Sequence, residues 1–427
     1  MEIPRRIYMV GIGGIGMSAL AQFLKHTGHD VSGSDREESP VVNMLIKKGI
    51  PVMVGHDAHN IPAHTELLIY SDAVYSDNPE RMRAKGTGIP EMSYYEALGE
   101  VSRGRRTIAV TGTHGKTTTT GMLAAILQHC KKEPTAIIGS IIKDFGSNFL
   151  AGRSDIFVVE ACEYRDHVLK LSPEILVITN IELDHTDYFP NLEALQETFK
   201  KAAERVPKHG VIVTMSNDSN IAPILQNVSA RIVDFSKCGT YEVPHLIGEF
   251  NKMNACAAAA AAQAAFPDIS QEAIAIALKN FKGSWRRFEY RGETPSGALV
   301  YDDYAHHPTA IRKTLEAARE KFPHKKIVVA FHPHLYSRTK SFLNEFAEAL
   351  SLADHAIVAP IYAAREEPDP EISNHTVADA ARSFGGNVEA MDSFDEIRDR
   401  LLLEDEGTLI ITMGAGDIYK IAEQIAD

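Results

Sequence analysis

Two glycines, a lysine and a run of hydroxyls are the residues here with the plainest chemical purpose. They form Thr111-Gly-Thr-His-Gly-Lys-Thr-Thr-Thr-Thr120, entered from the apolar run Thr107-Ile-Ala-Val110. A strand that breaks into this pattern is suited to gripping a nucleoside triphosphate. Gly112 and Gly115 let the backbone curl and turn its N–H groups toward phosphate oxygens. Lys116 would set a cation on the β- and γ-phosphates, and the Thr117 hydroxyl would ligate Mg²⁺. The following residues, Gly121-Met-Leu-Ala-Ala-Ile-Leu, read as a helix whose N-terminus faces the anion. The usual loop has another glycine where this chain has Val110, so the loop is a shortened form.

A second glycine loop lies near the N-terminus. Gly11, Gly13 and Gly16 follow the apolar strand Arg6–Val10, with Asp35 about 20 residues on, which is the dinucleotide fingerprint. Read alone, it predicts a nicotinamide dehydrogenase. Beside a triphosphate loop, it is better read as the grip for another diphosphate, and a nucleotide-sugar satisfies the same geometry.

Acidic residues stand at the ends of two further predicted strands, in Val158-Val-Glu-Ala-Cys-Glu-Tyr164 and Thr179-Asn-Ile-Glu-Leu-Asp-His185. Open α/β sheets bind ligands at such C-terminal strand ends. Glu160 and His185, with Thr117, are the expected metal ligands; oxygen donors suit Mg²⁺ and a lone imidazole is an unusual addition. Glu163, Asp184 and Asp187 are expected to be solvated or outside the ligand ring. Asn251 and Asn254 read, by themselves, as helix caps, and His306 and His307 as turn residues before Pro308.

Three α/β blocks position these groups, as 427 residues at about 150 per domain suggest. The expected boundaries are residues 1–104, 105–291 and 292–427: a Rossmann-like first domain, a central P-loop ATPase-like parallel sheet and a Rossmann-like C-terminal domain. Glu100–Arg106 reads as a linker. In the centre, strands at Ile156–Val159, Ile175–Ile178 and Val211–Thr214 alternate with helical pattern, the signature of a parallel sheet. The third block has strands near Ala298–Tyr301, Lys326–Ala330, His355–Val358 and Thr408–Thr412, with helices at Thr309–Lys321 and Ser341–Ser351. A formal charge of −13 argues against nucleic acid or anionic membrane as partner. Four scattered cysteines predict reduced thiols, and the absence of a signal-peptide pattern predicts a cytoplasmic protein.

TGTHGKTTTT, the glutamate in VVEACEY and TNIELDHTDYF together resemble the Mur ligases of peptidoglycan synthesis. GIGGIGMSALA, Ile69–Glu80, YDDYAHHP, FHPHLYSRT and TMGAGDI extend that resemblance over essentially the whole chain. It implies an ATP- and Mg²⁺-dependent ligase joining L-alanine, or a similar small amino acid, to UDP-N-acetylmuramate, as a monomer or weak homodimer. By the same resemblance, Gly11, Gly13, Gly14, Ile15, Gly16, Met17, Ser18 and Asp35 would hold the uridine diphosphate, with Ser71 and Asn78 nearby. Gly112, Thr113, His114, Gly115, Lys116, Thr117 and Thr118 would hold ATP, with Asn251 and Asn254 at the adenine nucleotide. Thr117, Glu160 and His185 would ligate magnesium. Arg287 and Asp303 would reach the nucleotide, and His334 and Arg338 the amino acid or developing phosphate. Phe250, Cys162 and Leu335 depart from the family's usual histidine, aspartate and arginine. A tripeptide ligase of wall recycling, a dehydrogenase and a non-catalytic nucleotide-binding protein are the competing expectations.

Overall fold

The computed structural model describes residues 3–426. Strands β1 (Arg6–Val10), β2 (Asp30–Asp35), β3 (Val52–Val54), β4 (Leu67–Tyr70) and β5 (Glu91–Ser93) form a parallel sheet ordered β3-β2-β1-β4-β5. This is the open, doubly wound arrangement that leaves a crevice outside the strands' C-terminal ends. The helix Ile15–His26 follows β1 directly.

The second sheet comprises β6 (Arg106–Thr111), β7 (Thr135–Ile142), β8 (Ser147–Leu150), β9 (Ile156–Glu160), β10 (Ile175–Ile178), β11 (Val211–Thr214) and β12 (Arg231–Asp234). Their order is β12-β11-β10-β6-β9-β7-β8, so the strand feeding the lysine loop lies inside the sheet, between β9 and β10. The strict alternation of strand and helix expected here fails at one edge. There β7 and β8 form an antiparallel hairpin, while β7 itself runs parallel to β9.

The third sheet comprises β13 (Glu289–Glu293), β14 (Leu299–Asp303), β15 (Lys326–Phe331), β16 (His355–Val358), β17 (Val388–Ala390) and β18 (Thr408–Met413). Only β13, paired with β14, is antiparallel in the order β13-β14-β18-β15-β16-β17. Along β15, Ile327, Val329 and Phe331 enter one core, and Val328 and Ala330 the core on the opposite face. Both faces are covered, which is why these strands read as unbroken apolar runs.

Most of the expected linker is structured: the helix Tyr94–Ser102 takes its first half and β6 starts at Arg106. The chain divides into two compact units. One holds residues up to Ile181, with Glu193–Glu242 and Asn254–Lys282; the other holds Glu182–Leu192, Val243–Met253 and residues from Gly283 onward. The first two sheets share a unit because the helix Ile15–His26 lies on β7 and β8. Phe23 of that helix meets Phe149 edge-on at 6.3 Å and Phe157 at 5.9 Å.

Candidate active site

The lysine loop is shaped by approaches that only glycine tolerates. Gly112 (φ +124°) and Gly115 (φ +82°) have left-handed backbones. A Cβ on Gly112 would lie 2.2 Å from Thr179 Oγ1, and one on Gly115 would lie 2.3 Å from Asn254 Oδ1. The end of β10 clamps the loop. Asn180 accepts from Thr113 N through its carbonyl (3.0 Å) and from His114 N through Oδ1 (2.9 Å), while Thr179 Oγ1 donates to His114 O (2.6 Å). The helix Lys116–His129 begins here with Gly115 as its cap and no side-chain cap bond. Its first-turn N–H groups are therefore of the kind that receives an anion.

Lys116 folds back over this loop. Its Nζ donates to Gly112 O (2.5 Å), Thr113 O (3.1 Å) and Glu163 Oε1 (3.0 Å). Burial pulls the Lys116 ammonium down, but Glu163 and the groups around it outweigh that, so its pKa is raised and the charge is kept. Glu163 is 1% exposed, which rules out solvation, the first of its two expected places. The neighbouring Cys162 thiol is pushed up to about 12, chiefly by burial.

Glu160, ending β9, accepts from Thr117 Oγ1 (3.1 Å) and Gly139 N (2.8 Å). A Cβ on Gly139 would come within 2.4 Å of the Glu160 carboxylate, so the side chain rests on bare backbone. A hydroxyl in the first turn of a helix beside a carboxylate at a strand end supplies the hard oxygen donors that Mg²⁺ takes, so the residues present fit that ion. Thr118 is buried in the first turn of the helix.

Asn251 and Asn254 do not cap a helix. They lie inside Glu249–Ala265, which starts earlier than the alanine run suggested. Asn254 is buried against Gly115, and Asn251 Nδ2 donates to Ile247 O (2.8 Å). Their spacing places both on one side of the helix.

At the first glycine loop, Gly13 N donates to Asp35 Oδ2 (2.7 Å) and Arg36 N to Asp35 Oδ1 (2.8 Å). Oδ2 thus braces the loop, while Oδ1 fixes the carboxylate to its own backbone. Gly11 (φ +76°) passes so close to Ser71 that a Cβ would lie 2.9 Å from the serine's own. Gly16 is covered by Tyr94. Gly14 caps the helix Ile15–His26 without a side-chain bond, again leaving first-turn N–H groups for an anion. Met17 and Ser18 are buried, and Ser18 Oγ accepts from Asn148 Nδ2 of β8 (2.8 Å). Asn78 Oδ1 caps the helix Pro79–Thr87, accepting from Glu80 N (2.9 Å) and Arg81 N (3.3 Å).

In the second unit, Arg338 is 2% exposed and its Nη2 lies 2.8 Å from Asp184 Oδ1. Burial alone would raise the Asp184 carboxyl, but the Arg338 guanidinium holds it well below the usual range. Arg338 Nη1 also lies 3.1 Å from His334 Nδ1. Burial, then Arg338, lowers His334 to about 3 and keeps it neutral. Asp187 is paired with Arg365 at 2.5 Å, so neither aspartate is merely solvated. His185 has φ +53° and its N–H donates to Asp184 Oδ1 (2.6 Å). Leu335, where the resembled family has arginine, is 1% exposed and part of the packed interior.

Asp303 accepts from Phe288 N and Ala305 N, each at 2.7 Å, and burial raises it to about 6 against the pull of Arg287. Arg287 lies over the Tyr304 ring at 5.2 Å. Its neighbour Arg286, which sequence reasoning passed over, is the buried one. It donates to Asp302 Oδ2 (2.7 Å), Gly416 O (3.0 Å) and Gly414 O (2.6 Å). His307 caps the helix Pro308–Lys321 through Thr309 N, and His306 Nδ1 lies 2.9 Å from Tyr304 O.

Comparisons with known proteins cover every part of this architecture. The family descriptions "Mur ligase family, catalytic domain", "Mur ligase middle domain" and "Mur ligase, glutamate ligase domain" match residues 6–106, 110–245 and 286–416. The chain is 38% identical to the UDP-N-acetylmuramate--L-alanine ligase of Caldicellulosiruptor saccharolyticus, over 99% of this chain and 98% of that one. Among solved structures, the UDP-N-acetylmuramate-alanine ligase of Thermotoga maritima is similar at a TM-score of 0.80 and 31% identity, covering 98% of each chain. A murein peptide ligase from Psychrobacter arcticus is similar at 0.75 and 25%, covering 99% of this chain and 98% of the other. With glycine loops, acidic strand ends and three sheets matched from end to end, the chain belongs to the Mur ligase family.

Proposed function

We propose that this protein is an ATP-dependent ligase that joins L-alanine to the carboxylate of UDP-N-acetylmuramate in peptidoglycan precursor synthesis, in the cytoplasm. The observation that carries the reading is the Lys116 loop, which combines an uncapped helix start, a charged lysine and the Thr117–Glu160 oxygen pair. The names of full-length relatives supply the substrates. Residues 1–104 would hold the uridine diphosphate, 105–291 the ATP, and 292–427 the amino acid. Asp35 accepts from Gly13 N of the first loop through one oxygen and from its chain neighbour Arg36 N through the other. Both oxygens thus already have backbone partners that compete with the ribose contact a dehydrogenase would need.

A carboxylate is a poor electrophile because its leaving group would be oxide. Its attack on the γ-phosphate yields an acyl phosphate and ADP. The amine of L-alanine then adds to the acyl carbon, and phosphate departs from the tetrahedral intermediate. Two anions meet in the first step, and the Lys116 ammonium and the loop N–H groups offset their repulsion. Thr117 and Glu160 would hold Mg²⁺, and an ion bound there would add charge neutralisation at the phosphates. Neutral His334 offers hydrogen bonds to the amino acid, and Arg338 the cationic charge.

Phosphate release with ATP and UDP-N-acetylmuramate, measured with L-alanine, glycine, L-serine and the tripeptide in turn, tests the reading. Turnover strongest with L-alanine is expected; turnover with the tripeptide alone overturns it.

A further inference from the structure

Lys116 carries its own counter-ion. The carboxylate 3.0 Å from Nζ belongs to Glu163, three residues beyond the end of β9, on a segment that cannot shift easily. Arg165 and Asp166 are both left-handed, at φ +50° and +60°. Just past them, His167 Nε2 lies 2.7 Å from Asp72 Oδ2 and its ring stacks on Tyr95 at 3.5 Å. Glu163 is therefore fixed by a short, strained stretch whose far end is anchored to the first sheet's Ser71–Asp72 turn. Glu160 is not the anchor of Lys116, since its own oxygens go to Thr117 and Gly139.

We infer that Glu163 is a positioning residue acting as a latch: in the nucleotide-free protein it holds the Lys116 ammonium down on the loop, and an incoming triphosphate must take that cation from it. The inference rests on reading the loop as a triphosphate site. Both effects of the carboxylate oppose nucleotide binding. It stabilises the free protein by neutralising a buried cation, and it places negative charge beside the phosphates. A side chain that merely prearranged Lys116 for phosphate would have the opposite sign.

The test is calorimetric titration of the full chain with the magnesium complex of a non-hydrolysable ATP analogue. Glu163→Gln keeps the shape and removes the charge. It is expected to tighten the analogue's Kd about tenfold, the scale of one charge-assisted hydrogen bond. In a Lys116→Ala background the same change is expected to tighten binding by clearly less, because only the repulsion between carboxylate and phosphates is then relieved; equal tightening in both backgrounds overturns the latch. Unchanged or weaker binding by Glu163→Gln overturns the latch. Should that variant fail to fold, Glu163→Asp, which retracts the carboxylate but keeps its charge, must tighten binding to a smaller degree, and unchanged or weaker binding overturns the latch equally. A wild-type chain that binds no analogue sinks the triphosphate reading itself; normal wild-type binding with unresponsive variants sinks the latch alone.

Discussion

The Asp184 carboxylate is held by a single arginine: Arg338 reaches Oδ1 through Nε at 2.9 Å and Nη2 at 2.8 Å, with both side chains almost wholly out of solvent. Removing one member of such a pair leaves a buried charge without compensation. Asp184→Asn should therefore lower stability by about 3–5 kcal/mol. A urea midpoint indistinguishable from wild type would show that the pair contributes little.

Lys116→Ala should abolish phosphate release, as removal of the loop's only lysine implies. The structure adds that it should also cost stability, since the buried Glu163 carboxylate loses the ammonium beside it, by about 3 kcal/mol. Lys116→Met combined with Glu163→Gln should restore much of the urea midpoint but none of the turnover. Recovery of activity in that double variant would remove the lysine from the chemistry.

Asp303 gives the fold a pH dependence of defined sign. Burial raises its folded value to about 6, so the protonated form is favoured in the folded protein. Its stabilising share is complete below the unfolded value near 4 and is lost as pH rises through about 6. The interval corresponds to roughly 3 kcal/mol at about 1.4 kcal/mol per tenfold. Unfolding free energies of wild type and Asp303→Asn, compared from about pH 4 to 7, should diverge in that direction. Parallel curves would mean the carboxyl titrates normally.

Gly115→Ala should damage the nucleotide loop specifically. The new Cβ meets Asn254 Oδ1 at 2.3 Å on a backbone of φ +82°, so strain of about 1–3 kcal/mol falls on the loop. Kd for the magnesium complex of the ATP analogue should rise at least about tenfold. Gly146→Ala, also at positive φ but with open space around its Cβ, should leave that Kd unchanged. Equal binding by the Gly115 variant would show that the loop relaxes freely.

The two glycine loops were legible from sequence because each is local. Glycines, a lysine and a helix start within a dozen residues are fixed by backbone geometry, whatever packs around them. The apolar runs at β10, β11 and β16 read equally well, since a strand covered on both faces advertises itself continuously. The antiparallel β7–β8 edge did not, because Thr135–Ile142 looks like any other apolar run and pairing direction is not written within a strand.

Burial of charge belonged to the tertiary structure alone. Lys116 and Glu163 stand 47 residues apart, and Asp184 and Arg338 stand 154 apart. A carboxylate in a loop sequence looks solvated until the fold delivers a cation to it. Asn254 likewise read as a cap by residue type, and only the packing of its helix against Gly115 gave it another place. The sequence by itself determined which backbone segments turn tightly on glycine into a helix start. The fold decided which charges are neutralised, because desolvation and pairing depend on neighbours that the chain brings together only once it has folded.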